Sequence, residues 1–164
     1  CRETRRTTGC HFVYFGCGPI EWSSWKFILT CLSTCDGEFV SKLAAAKGIL
    51  WLRTLIKELG IERIITKYSS MLWGDNQAAN AMATNPVISK LNKHIATKYS
   101  FTRILTMANV ILNGYINTLD NVADIGTKPL GWIKFEGFQL LALGHGILPK
   151  VTERKLTVVS DEWA

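Results

Sequence analysis

Three carboxylates stand where elements of regular structure meet: Glu38 in the first turn of a long helix, Asp75 directly after an apolar strand, and Asp124 after the last strand, at the start of a short turn or helix. Acids so placed can converge from distant parts of a chain. Magnesium prefers hard oxygen donors, and a two-metal phosphoryl-transfer site needs several carboxylates to hold two cations about 4 Å apart. Helix capping produces the same placement, because an acid near a helix N-terminus is stabilised by the helix dipole. Spacing alone leaves both readings open. Between Asp75 and Asp120 there is no acid, whereas Lys90, Lys93, Lys98 and Arg103 supply four positive charges, with His94 beside them. These cations suit a phosphate-binding face, although they share no single helical stripe and serve equally as a solvated surface. A zinc site built from Cys10, His11, Cys31 and Cys35 is conceivable, but no Cys-x-x-Cys pair is present, and the five cysteines read as reduced thiols.

The elements that must position these groups follow from periodicity. Residues 10–15 form a short β-prone run ending in glycines, and residues 20–24 and 26–32 continue as two further strands of an antiparallel meander. From 36 to 59 apolar residues recur at three- and four-residue steps (Phe39, Val40, Leu43, Leu50, Trp51, Leu55), which predicts one long helix with Trp51 on its buried face. Ser33 or Thr34 can cap its start, Asp36 reads as a cap acid, and Gly60 is placed to stop it. A second β signal spans 61–73 and ends at Gly74-Asp75, with Trp73 closing the buried strand. Helices are expected at 76–84, 93–107 and 132–143, and a strand at 110–118. The six tryptophans are expected in the core. The order of elements predicts an α/β domain with a mixed sheet.

At 164 residues the chain fits one domain, and 48% apolar with 20% charged residues is a globular composition. A net charge of +6 favours polyanionic partners. No run of eighteen apolar residues predicts a membrane span and no secretion signal is visible, so an intracellular location, in the cytoplasm or nucleus, is expected. Cys1 in place of methionine leads to the expectation that the chain belongs to a longer polypeptide. Residues 145–164 form a tail to which no role is assigned.

The words around the acids carry a resemblance. Leu32-Ser33-Thr34-Cys35-Asp36-Gly37-Glu38-Phe39, with Ala44-Ala45-Ala46-Lys47 and Ile49-Leu50-Trp51-Leu52-Arg53, resembles the "LSSTEAEY…AAKEAIWLR" segment of the ribonuclease H domain that closes Ty1/copia retrotransposon Pol polyproteins. Asp75-Asn76-Gln77-Ala78-Ala79 is similar to "DNQSA", Asn92-Lys93-His94-Ile95 to "TKHI", and Ala123-Asp124-Ile125-Gly126-Thr127-Lys128-Pro129-Leu130 to "ADILTKPL". Arg5-Arg6-Thr7-Thr8-Gly9 and Gly18-Pro19-Ile20-Glu21-Trp22-Ser23-Ser24 resemble "RRSTSG" and "GPISWSS". The ordered set runs from about residue 5 to 143.

The resemblance implies a ribonuclease H-like mixed sheet flanked by helices over residues 1–144, hydrolysing the RNA strand of RNA–DNA hybrids with two Mg2+ or Mn2+ ions. It implies Glu38, Asp75 and Asp124 as catalytic metal ligands, and Gln77, with Asn76, at the hybrid backbone. It also implies an upstream reverse transcriptase segment in the same polyprotein. The family's first metal-binding Asp lies on a first, central strand in a "YSDADWAG"-like word, and no Asp precedes Asp36 here. The first strand is therefore expected to be missing, and the chain alone to be inactive and poorly stable. An alternative is a catalytically inactive relic that at most binds nucleic acid or serves structurally. Gly37, Gly48 and Gly126 lean toward that alternative, because glycine costs a helix interior about 1 kcal/mol relative to alanine.

Overall fold

The computed structural model describes residues 7–16, 18–27, 34–61, 63, 68–84 and 96–145. Its order is β1 (Thr8–Phe15), β2 (Gly18–Lys26), α1 (Thr34–Glu58), β3 (Ser70–Gly74), α2 (Gln77–Thr84), α3 (Ala96–Met107), β4 (Ile111–Tyr115), a 3-10 turn (Val122–Gly126) and α4 (Trp132–Ala142). The chain is a mixed α/β protein, as its periodicity predicts. Among the described residues the strands form two separate pairs rather than one sheet: β1 with β2 antiparallel, and β3 with β4 parallel. A parallel pair needs a crossover, which α2 and α3 occupy.

Three helices stop by the same device. Gly60 (φ +72°) follows α1, with its N–H donating to Lys57 O and that of Ile61 to Ile56 O, and Gly144 (φ +75°) ends α4 in the same way. Asn109 (φ +53°) takes the position after α3, and an asparagine tolerates the left-handed region better than most non-glycine residues.

Helix α1 carries the core. Its buried residues Ala45, Ala46 and Ile49 meet Val13 of β1, Leu72 of β3, Leu105 of α3 and Ile111 of β4 in one cluster. Phe39 is fully buried nearly two turns nearer the N-terminus. Trp51, expected in this core, is 59% exposed, because the buried stripe runs through 39, 42, 46, 49 and 56 and leaves Trp51 on the opposite side of the helix. Trp22 and Trp132 are also exposed, so the expectation of tryptophans filling the core fails for these three.

The meander expected over 20–32 is a single strand, β2, as far as Lys26, and residues 28–33 lie outside the described set. Of the β signal over 61–73, Ser70–Gly74 forms a strand, and residues 62 and 64–67 lie outside the described set. Two glycines read as signs of decay have packing reasons. A side chain at Gly48 would collide with the Glu21 carboxylate, and one at Gly126 with Cys10 Sγ. No helix among the described residues is long and apolar enough to cross a membrane.

The two strand pairs leave two facing edges. A cavity of about 930 Å3 is lined by most of β1, by residues 68–75 around β3, and by Glu38, Lys42, Ala45 and Ile49 of α1. In β3 the backbone of Ser70 and Gly74 bonds toward β4, since Ser70 N–H donates to Val110 O and Ile116 N–H to Gly74 O. Strand alternation then directs the Met71 and Trp73 amides at the cavity. We expect these two amides to exchange on the order of a hundredfold faster than Leu72, whose N–H faces β4. Equal protection at 71, 72 and 73 in hydrogen-exchange mass spectrometry or NMR would show that another segment covers the edge.

Candidate functional site

Each acid reaches the cavity by a different local route. Glu38 lies in the first turns of α1, on the face that also carries Lys42 one turn on. Asp75 follows β3 directly. There the chain turns into α2, and Asn76 caps that helix by accepting the Ala79 N–H at 3.1 Å. Asp124 sits inside the 3-10 turn, whose start is capped by Asn121 accepting the Ala123 N–H at 3.2 Å. Glu38, Asp75 and Asp124 all line the one cavity between β1 and β3.

Their surroundings differ. The Glu38 carboxyl is pushed above the ordinary glutamate range, first by burial and then by the charge of Asp75, with Asp124 adding a smaller repulsion. A hydrogen bond from Asn76 and the charge of Lys42 oppose this shift. Glu38 Oε2 is buried with no hydrogen-bond partner among the described residues. Asp124 is 6% exposed, and its Oδ2 accepts from Lys128 Nζ at 2.8 Å and Lys134 Nζ at 3.0 Å. Lys134 also donates to Thr118 O at 2.8 Å, so it ties α4 to the loop before the 3-10 turn.

Sequence reasoning missed the residue that sits between these acids and the strands. Lys42 is 5% exposed, and its ammonium group donates to Asn80 Oδ1. The Asn80 amide nitrogen in turn donates to Gly74 O at 3.0 Å and Gly114 O at 3.3 Å, which joins the C-terminal ends of β3 and β4. Burial lowers the Lys42 pKa to about 8, against the raising influence of Glu38 and Asp75. The available signal was a lysine four residues after Glu38, inside an otherwise apolar stripe.

The donor chemistry at Glu38 and Asp75 suits a divalent cation: hard oxygens, mutual repulsion and one orphaned carboxylate oxygen. Asp124 is the less available of the three, since two lysines hold its Oδ2. Among the described residues no group of three or more His, Cys, Asp or Glu side chains is drawn close enough to hold an ion. Of the expected zinc ligands, Cys10, His11 and Cys35 are described and form no such group. His11 bonds Glu21 at 3.3 Å, Cys10 is a buried free thiol pushed up to about 11 by burial, and Cys31 lies outside the described residues.

Of the expected nucleic-acid contacts, Gln77 is exposed at the start of α2 and Arg103 is half-buried on α3. Lys98 lies on α3, while Lys90, Lys93 and His94 fall outside the described residues, as does the tail from 146 onward.

Removing the Lys42 charge should stabilise the fold. With a folded pKa below the unfolded one, charged Lys42 costs stability at every pH below about 8, and the cost fades as pH rises toward 10.5. Lys42→Met is expected to gain about 1–3 kcal/mol at pH 7, after loss of the Asn80 hydrogen bond, and little at pH 10.5. Urea denaturation at the two pH values measures this difference.

Comparison with known proteins places the chain. Over 132 residues, 80% of its length, it is 32% identical to "Retrovirus-related Pol polyprotein from transposon RE2" and 33% identical to that from transposon RE1, both of Arabidopsis thaliana. It is 29% identical over the same length to "Retrovirus-related Pol polyprotein from transposon TNT 1-94" of Nicotiana tabacum. The chain spans about a tenth of the length of these curated relatives, at 9%, 9% and 10%. No protein-family model matches it, and no solved structure matches it. Its homologues are thus Ty1/copia-type Pol polyproteins, which supports its being a retroelement polyprotein fragment.

Proposed function

We propose that this chain is the ribonuclease H segment of a retrotransposon Pol polyprotein, acting on the RNA strand of RNA–DNA hybrids once its sheet is completed. The observation that carries the reading is the opening of Glu38, Asp75 and Asp124, from three distant elements, onto one cavity between two strand edges that have no partner strand among the described residues. One extended strand between β1 and β3 would join the two pairs into a single mixed sheet of ribonuclease H type, at the usual spacing of about 4.8 Å to each neighbour. In this reading the strand comes from the preceding, reverse transcriptase side of the same polyprotein and adds a fourth acid beside the three.

Two Mg2+ or Mn2+ ions, when bound, supply the charge that activates a water and stabilises the phosphoryl transition state. The protein's own groups prepare the place. Glu38, Asp75 and Asp124 would hold the ions, Asn76 fixes the Glu38 carboxylate while capping α2, and Gln77 stands at the rim for the hybrid backbone. Lys90, Lys93, Lys98 and Arg103 would meet phosphates. An A-like hybrid is recognised through shape, 2′-hydroxyls and phosphates, which lysines and arginines near a metal site suit. The reading places the protein inside the cell, with the nucleic acid it would process.

The relic reading draws on a different observation: Asp124 is neutralised by Lys128 and Lys134, and the acids are not gathered into an ion-ready group. Both readings agree that the 164-residue chain alone is inactive, so the test must complete the sheet. We expect no magnesium- or manganese-dependent cleavage of a labelled RNA–DNA hybrid by the chain as it stands. Cleavage should appear after fusion of a preceding strand carrying Asp, and disappear again with Asp75→Asn. The same strand bearing Asn should restore folding without cleavage. A folded Asp-strand fusion that leaves the hybrid intact would favour the relic.

A further inference from the structure

We infer that Lys42 is a resident rival of the divalent cation: its ammonium group serves as internal counter-charge to Glu38 and Asp75, and an ion binds tightly there only when that group is withdrawn. The inference rests on the proposed assignment of Glu38 and Asp75 as ligands, and adds a residue that governs their affinity.

Placement carries the argument. Lys42 is four residues after Glu38, on the same face of α1, and lines the same cavity as all three acids. It is 5% exposed, so water screens its charge poorly. Asn80 accepts from its ammonium group and is itself anchored to Gly74 O and Gly114 O, which holds the charge beside the strand end that leads into Asp75. The lysine stem passes over Gly74, where any side chain would collide with its ε-carbon. Asp120 joins the three acids on the cavity lining, and against these four carboxylates stand Lys42, Arg53 and Lys128 on the lining and Lys134 on Asp124, so the cavity offers an incoming cation no net negative charge. A divalent ion therefore meets a like charge that is buried, fixed and already hydrogen-bonded.

The test is Mn2+ titration of the 164-residue chain, read by electron paramagnetic resonance of free Mn2+ and by the Mn2+-induced rise in melting temperature. Lys42→Met should bind Mn2+ on the order of tenfold more tightly than the wild type, with a larger melting-temperature rise. Lys42→Arg, which keeps the charge, should stay near wild type. Adding Asp75→Asn to Lys42→Met should abolish the gain. Lys42→Gln keeps a polar partner for Asn80 and serves the same purpose should the methionine variant not fold. Unchanged Mn2+ affinity in a folded neutral variant, or equal tightening by Lys42→Arg, overturns the inference. Tightened binding together with an inactive Asp-strand fusion would leave the inference standing and remove the nuclease reading. Cleavage by that fusion with unchanged affinity in the neutral variants would do the reverse.

Discussion

Neither strand pair can hold itself together, and that constraint organises the molecule. An isolated pair of strands is marginal in water, and β3 and β4 are five residues each. What both pairs share is α1, whose buried face packs on β1 and on β3. The 25-residue helix is therefore a spine, and its small residues Ala45 and Ala46 let both pairs approach closely. The same arrangement sets the site. Glu38 projects into the cavity because the face of α1 that meets the strands at Ala45 and Ile49 continues toward its N-terminus through Lys42.

Much of this was legible in the sequence because the signals were local. The Gly60 stop works as a left-handed cap, the helices at 76–84 and 132–143 need only a residue or so of trimming, and the acids at element ends do open onto one cavity. Other features depended on tertiary facts. Helix α1 is apolar around much of its circumference, so periodicity did not decide that Trp51 faces water while Lys42 is buried. The strand signal before Gly74 runs back through Ile61, Ile64, Ile65 and Thr66, and among the described residues of that stretch Ser70–Gly74 pairs, facing Ile111 to Tyr115. The lysines on Asp124 lie four and ten residues beyond it, and only the turn into α4 brings both to one oxygen.

The charge pattern gives the likeness to Pol polyproteins a physical edge. A likeness over 132 residues matches the chain to a short stretch of long Pol polyproteins, but it does not say how the acids are balanced. Here they are balanced from within. In the proposed reading, a metal would have to compete with these ammonium groups for the same carboxylates. At Lys42 the two effects run the same way: its buried charge weighs against the metal-free fold and against an incoming cation alike.

The contact between Gly48 and Glu21 has a consequence for how such a chain can change. The hairpin of β1 and β2 approaches α1 so closely at this point that the Glu21 carboxylate occupies the place of a side chain at 48, while its other oxygen bonds His11. Replacing Gly48 by alanine would ordinarily favour a helix. Here the same replacement expels a carboxylate and deprives a buried imidazole of its partner. The two positions are epistatic: alanine becomes acceptable at 48 only in a background where residue 21 has already shortened, and the order of the two steps fixes which intermediate keeps its hairpin seated.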